Sequence, residues 1–274
     1  MSGPVKRSLI FDLGVYEGQD SRFYLDKGFV VVGVEAHPAY AENARKIFAS
    51  EIAGGRYYLV ERAIWDKADL SIQFHTRGAQ SSIIKAYADS GGPSLSVEVR
   101  TTTLEELIRE YGVPYYLKCD LEGVDGIIVT QLQGVEKIPA FTSIEAPAPD
   151  SIGELACCGY DRFQIINQGY HARTRIPFPP REGRYAKVRM NDAMTGLFGR
   201  ELNPRHWMSK EDAIAAMKRR EFILSRKCNP VLKYLYRRIG KLSGRRYLIP
   251  QGWTDIHACH QSTLDAPPDT FSPL

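Results

Sequence analysis

The 274-residue chain reads as an α/β protein with a mostly parallel sheet. Three observations predict that class. Apolar runs short enough for strands alternate with longer amphipathic stretches as far as Glu145. The run FVVVGVE (29–35) is β-branched almost throughout, the pattern of a strand covered on both faces. The first apolar run, SLIFDL (8–13), passes directly into a glycine-spaced turn, FDLGVYEGQD (11–20).

Ser8–Leu13 forms the first strand, and Asp20–Lys27 the first helix, capped by Asp20 or Ser21 and stopped by Gly28. Phe29–Glu35 is the second strand. A helix opens on Pro38 and runs to about Ser50, ahead of Gly54 and Gly55. Arg56–Ile64 is the next strand, and the alternation in Leu70–Phe74 predicts an extra strand or half a hairpin. TTTLEELIREYG (101–112) is a helix between a threonine cap and Gly112. Val113–Asp120 is a strand, Val124–Gln133 a helix, Ala140–Glu145 a strand, and GYDRFQIINQ (159–168) a late strand. From about His171 the chain turns rich in arginine and proline, then helical and basic over Ser209–Ile239 with an interruption at Pro230. The expected division is a core over 1–170, an extension over 171–260 packed on it, and a tail over 261–274 that frays.

Composition excludes several classes. With 43% hydrophobic and 25% charged residues the chain is an ordinary globular one, and a formal charge of +4 does not by itself imply nucleic acid. No apolar run reaches the ~20 residues of a membrane-spanning helix. The run after Lys6 and Arg7 is cut by Asp12, which speaks against a signal peptide. Five cysteines without pattern fit a reducing cytoplasm better than a disulfide framework.

A strand, a glycine turn and a helix start present backbone N–H groups at the carboxyl end of a sheet. The spacing D-x-G-x-x-x-G, over Asp12, Gly14 and Gly18, lacks the close glycine pair of dinucleotide sites. A carboxylate there repels a pyrophosphate but attracts an ammonium or sulfonium group, and S-adenosyl-L-methionine carries both. Gly14 permits the turn, and Gly18 leaves room for a ligand. An ordinary strand-to-helix turn fits the same spacing. Glu35 tips the balance, since it ends the second strand 21 positions after Gly14, where an acid holds a ribose diol. The third mark is LKCDLEG (117–123), in which a period of two puts Lys118, Asp120 and Glu122 on one face. Three charges on a buried strand face are costly unless paired or solvated, which predicts a cleft at the strand's end. A structural lysine–aspartate pair is the competing reading.

These segments, in this order, resemble the FkbM-type family of S-adenosylmethionine-dependent methyltransferases. The resemblance is carried by FDLGVYEGQDSRFYLDKGFVVVGVEAHP (11–38), ERAIWD (61–66), Ser81-Ser82, TTLEELIREYGVPYYLKCDLEGVD (102–125) and SIEA (143–146). It continues in GYDRFQIINQ, GLFGRELNPRHWMSKEDA and GWTDIHA. It implies the class I methyltransferase (Rossmann-like) fold, a mostly parallel seven-stranded sheet with helices on both faces, here followed by a helical basic C-terminal extension. It implies S-adenosyl-L-methionine as cofactor, with Asp12, Gly14 and Gly18 at the turn and Tyr16 and Gln19 lining it. Glu35 would hold the ribose with Ala36 and His37 beside it, and Ala63 and Ile64 would flank the adenine. Ser82 and Asp120 complete the implied site.

The implied reaction is O-methylation of a hydroxyl on a sugar, glycan or secondary metabolite. A hydroxyl is a poor nucleophile, so a general base is expected. Glu122, Asp120 and Glu145 are the candidate carboxylates, with Glu122 preferred and Lys118 keeping a neighbouring acid ionised. His75 is the other candidate, because histidine's ordinary pKa suits proton removal near neutrality. Three acids at one cleft are also Mg²⁺ or Ca²⁺ ligand material, but Lys118 on their face argues against a metal, and none is expected. His257, Cys259 and His260 are too close in sequence for ordinary zinc spacing.

The first strand opens by about residue 8, so acceptor contacts are expected from loops after the strands and from beyond His171. There Arg173, Arg175, Arg181, Arg184, Arg200 and Arg205 interleave with Tyr170, Phe178 and Trp207, which suits an acidic or phosphorylated glycan or a nucleotide-linked sugar. The basic helices carry Arg219, Arg220, Arg226, Lys227, Arg237, Arg238, Arg245 and Arg246. They read as a solvated face over Phe222, Ile223, Leu232, Tyr234 and Leu235, with peripheral membrane contact as the runner-up. A nucleic-acid methyltransferase and a non-catalytic nucleotide-binding scaffold are the alternative functions; nucleic acid is not the expected partner, and oligomeric state is left open.

Overall fold

The computed structural model describes residues 5–145, 149–225, 227–250 and 252–266. Ala146, Arg226 and the tail beyond Ala266 lie outside the described residues. In chain order the elements begin β1 (Lys6–Leu13), α1 (Gln19–Asp26), β2 (Val30–Val34), α2 (Pro38–Ile47), α3 (Ala49–Ala53), β3 (Tyr57–Val60), β4 (Ala63–Ile64) and β5 (Ser71–Thr76). They continue with α4 (Lys85–Ala88), β6 (Leu95–Thr102), α5 (Leu104–Tyr111), β7 (Pro114–Cys119), α6 (Gly126–Gly134), β8 (Phe141–Glu145), α7 (Pro149–Cys157) and β9 (Arg162–Asn167). The last are α8 (Lys210–Leu224), α9 (Pro230–Ser243), β10 (Thr254–Cys259) and α10 (Gln261–Asp265).

Seven strands form the main sheet in the order β3-β2-β1-β7-β8-β10-β9. β10 runs antiparallel to β8 and β9, and the remaining pairs are parallel. This is the mostly parallel seven-stranded sheet that the resemblance implies. Alternation along β1 decides which side chains meet which layer. Leu9, Phe11 and Leu13 enter the cluster built with α5, α6 and α7, while Ile10 enters the one built with α1 and α2. The chain leaves β1 outward through β2 and β3, then returns to β7 on the other flank of β1. The carboxyl ends of β1 and β7 therefore flank the point where strand order reverses, the place where open α/β sheets hold ligands.

Several expectations change. The predicted strand Arg56–Ile64 divides between β3 in the main sheet and β4 in a small sheet ordered β4-β6-β5. The helix expected from Thr101 opens at Leu104, because Thr101 and Thr102 finish β6; Thr103 is the cap, its Oγ1 accepting from the Glu106 N–H at 3.2 Å. The helix expected over 38–50 breaks at Phe48, whose ring stacks on Tyr57 with centroids 4.3 Å apart. The expected interruption of the basic helical stretch lies between Leu224 and Pro230, and Pro230 itself opens α9 at its first position after the Asn229 cap.

The extension does more than pack on the core. Its strand β10 lies inside the main sheet, with all six residues buried. Lys27 and Glu201 form an ion pair at 2.5 Å with both side chains fully buried. Phe198 packs edge-on to Phe23, Tyr24 and Phe29 and stacks on Tyr116. Among the described residues, no helix is long and apolar enough to cross a membrane.

Candidate active site

The turn after β1 is shaped by backbone contact. Gly14 has φ +85°, and a Cβ there would lie 1.9 Å from the Asp120 carbonyl oxygen. Only glycine lets this turn close against the end of β7. Gly18 also has positive φ, but its missing Cβ makes room for the Phe48 and Ile47 side chains, 2.9 Å away, and not for a ligand. It does not line the cavity described below.

Glu35 follows directly on β2 and is 7% exposed. Its Oε2 accepts from the Tyr16 N–H at 2.8 Å and its Oε1 from the His37 N–H at 2.7 Å. Each oxygen keeps a further lone pair for a hydroxyl. Burial raises this carboxyl to about 7, against the lowering effect of those two bonds.

Asp12 is buried beneath the turn and does not line the cavity. Its Oδ2 accepts from Ser21 Oγ at 2.6 Å, and its Oδ1 lies 3.2 Å from Lys118 Nζ. The carboxylate expected to face a cationic ligand therefore anchors a lysine instead. Lys118 also donates to the Gly14 carbonyl and lies 3.7 Å from Asp120 Oδ2. Burial works to lower its pKa, but Asp12, Asp120 and Asp20 outweigh it and push the value up, so the ammonium stays charged.

Asp120, Glu122 and Glu145 each bring a carboxylate oxygen within 4.8 Å of the others. They do not do so as residues of one strand. β7 ends at Cys119, and Glu122 sits in a left-handed turn with φ 51°. Ser82 Oγ donates to the Glu122 carbonyl at 2.7 Å, and the Tyr87 hydroxyl donates to Glu122 Oε2 at 2.8 Å. Burial and then Asp120 raise Glu122 to about 7 and Glu145 to about 11. Acids this close relieve their repulsion by retaining protons, by binding a cation, or by the charge that Lys118 supplies.

A cavity of about 330 Å³ opens over this rim. It is lined by Gly14, Tyr16, Gln19, Glu35, Ala36 and His37 from the first two turns, and by Ala63 and Ile64 from β4. Lys118, Asp120, Glu122 and Glu145 line it as well. His75 and Ser82 stand outside the lining: both are engaged in a backbone bridge to each other, and Ser81 lines the cavity in place of Ser82. Asp20, Tyr40, Arg62, Phe74, Gln168, Met194 and Trp253 also line it without having been singled out for this role in the sequence. Asp20 looked like a helix cap; it is buried, accepts from the Thr195 N–H at 2.9 Å, and is raised by burial to about 7. Gln168, Met194 and Trp253 arrive through long-range folding, and no spacing signals them. Asp255, buried on β10, stands directly across from Glu145.

This lining fits a nucleoside that carries a cationic chain. Glu35 offers acceptors for vicinal hydroxyls, Ala63, Ile64, Phe74 and Leu121 are its apolar lining, and Asp20 and Asp120 offer carboxyl oxygens. Residues 12–144 match the family model described as the methyltransferase FkbM domain. This stretch is an FkbM methyltransferase domain. The methyltransferase uses S-adenosyl-L-methionine as its cofactor. No curated protein matches the chain. Among solved structures, it is similar to an SAM-dependent methyltransferase from Thiobacillus denitrificans in complex with S-adenosyl-L-homocysteine, at 10% identity and a TM-score of 0.35 over 94% of this chain and 86% of that one. It is also similar to the C-terminal domain of precorrin-6Y C5,15-methyltransferase from Rhodobacter capsulatus, at 12% identity and a TM-score of 0.36 over 60% of this chain and 68% of that one. The fold of the methyltransferase rests on its own strand order and not on these distant likenesses.

Proposed function

We propose that the enzyme methylates a hydroxyl oxygen of a sugar or related secondary metabolite, with Glu122 as general base. The observation that carries this reading is the Glu122 carboxyl itself, on the cavity rim and raised to about 7 by burial and by Asp120. A base of that strength is partly ionised near neutrality and matched to proton removal there. Tyr87 holds Oε2, which leaves Oε1 to receive the acceptor's proton. S-adenosyl-L-methionine, when bound, supplies a methyl group activated by its sulfonium. The chain's part is to orient the two reactants and keep water out, with Glu35 gripping the ribose and Lys118 holding the Gly14 turn against Asp120.

An acidic acceptor is favoured by the neighbouring surface. A second cavity, of about 670 Å³, has Asn167 among its lining residues, next in the chain to Gln168 of the first. Arg175, Arg205, Arg219, Arg245 and Arg246 line it, and Asp212 is the one acid among its lining residues. Fork-shaped guanidinium groups suit carboxylate or phosphate.

The test uses methyl-labelled cofactor with a panel of acidic sugars, nucleotide-linked sugars, neutral polyols and RNA. Label transferred to a sugar hydroxyl by the wild-type chain, and reduced about a hundredfold or more by Glu122→Gln, is the expected result. Label appearing in RNA, or on nitrogen or carbon, overturns the reading.

A further inference from the structure

Helix α9 turns its apolar side outward. At about 100° per residue, Val231, Leu235, Arg238 and Leu242 fall along one line, flanked by Tyr234 and Ile239. On the opposite side Gly240 is buried, with the position of its absent Cβ 3.0 Å from the Arg245 carbonyl and the Ile249 side chain. Leu242 is 85% exposed, Val231 68%, Tyr234 58% and Ile239 50%. A helix on a globular surface normally buries this stripe. The solvated-face reading required Phe222, Leu232, Tyr234 and Leu235 to lie beneath the basic residues. Of the five apolar residues it named, Ile223 is buried and the other four are exposed. An exposed stripe that is apolar but for Arg238 marks a surface that something covers.

Charge identifies the occupant. The chain carries no aspartate or glutamate between Glu221 and Asp255. Over that interval Lys233, Arg237, Arg238 and Lys241 lie on the helix, with Lys227, Arg245 and Arg246 flanking it. A second copy seated on α9 would bring this cationic interval against itself, since a two-fold contact pairs like surfaces. An anionic bilayer satisfies both halves of the pattern. Its acyl boundary takes the leucines and valine, and its headgroups attract the cations. Arg238, inside the stripe, can bury its stem and raise its guanidinium to the headgroup level.

We propose that α9 seats the enzyme peripherally on an anionic lipid surface, lying in the plane of the interface. The inference is independent of which acceptor is methylated.

The test is co-sedimentation of the full chain with phosphatidylcholine vesicles, with and without phosphatidylglycerol, at low and high salt. Binding is expected on the anionic vesicles, weakened by salt and at least about tenfold lower on neutral ones. A Val231→Gln, Leu235→Gln, Leu242→Gln triple variant should lose vesicle binding about tenfold or more, while an Arg237→Gln, Lys241→Gln variant should lose the preference for anionic lipid. Both variants should keep wild-type affinity for S-adenosyl-L-homocysteine, which verifies their fold. Wild-type chain that binds the demethylated cofactor but ignores anionic vesicles overturns the proposal. So does vesicle binding that survives the triple substitution, or a wild-type dimer that dissociates on it.

Discussion

Lys118 and Asp12, paired residues on neighbouring parallel strands, meet as a buried ion pair 3.2 Å apart beneath the Gly14 turn. The pair ties β1 to β7 at the carboxyl edge of the sheet, and through the Gly14 carbonyl it also holds the turn. Removing one partner leaves the other charge uncompensated in a dry site. Lys118→Met is expected to destabilise the fold by about 3–5 kcal/mol, and the double variant with Asp12→Asn to recover much of that loss. Denaturant unfolding of the three variants checks both statements; equal stability of wild type and Lys118→Met would refute the role.

Glu35 should govern cofactor affinity. Its two backbone bonds position the carboxylate and leave further lone pairs to accept the hydroxyls of a ribose. Glu35→Ala is expected to weaken S-adenosyl-L-homocysteine binding by about one to a few kcal/mol, read by isothermal titration. Because burial raises this acid to about 7, affinity should also fall as pH drops through that value. Protonation removes the charge that strengthens the hydrogen bonds.

Glu122 and Tyr87 together should set the pH dependence of turnover. The rate is expected to rise with pH around 7 as Glu122 ionises, and Glu122→Gln should slow it about a hundredfold or more while sparing cofactor binding. The Tyr87 hydroxyl lowers the Glu122 pKa by stabilising its carboxylate. Tyr87→Phe should therefore move the rising limb to higher pH. A limb that stays in place would assign the titration to another group.

Gly14 tolerates no side chain. Alanine would combine positive φ with a Cβ 1.9 Å from the Asp120 carbonyl, so β1 and β7 must separate. The backbone strain alone is of order 1–3 kcal/mol. Gly14→Ala is expected to lower the melting temperature and to lose cofactor binding together, whereas Gly126→Ala, with open space at its Cβ, should do neither.

Buried acids should make the protein more stable slightly below neutrality than above it. Asp20, Glu35, Glu122 and Glu182 are raised to about 7 and Glu145 to about 11, chiefly by burial. The folded chain therefore holds protons that the unfolded chain has released, and stability falls as pH rises from their ordinary values towards and beyond 7. His171 and His257, lowered by burial to about 4 and about 3, act in the opposite sense as pH falls through the ordinary imidazole range. The carboxyls outnumber them. Thermal unfolding near pH 6 is expected at a higher temperature than near pH 8, and the reverse order would mean that these acids are ionised in the fold.

Much of this was legible in the chain. Strand and helix alternation up to Glu145, the acid ending β2 and the charged end of β7 are local patterns, and each depends on residues within a few positions of one another. The readings that changed were non-local. Asp12 was expected to face a ligand, yet it faces Lys118, because β1 and β7 are neighbours in the sheet and far apart in sequence. Gly18 looked like a gap for a ligand and is a gap for Phe48. β10 carries no period-two signal, since both of its faces are buried.

By itself, then, the sequence determined the α/β class, the glycine turn and which residue types stand at the strand ends, because short-range sterics and hydrophobic period dictate these. Tertiary structure alone decided that Glu122 reaches Asp120 and Glu145 from a left-handed turn and not along one strand face, that Asp255 stands opposite Glu145, and that the stripe on α9 points outward. Those outcomes depend on strand order and on which helix face finds a neighbour, and packing between distant segments settles both.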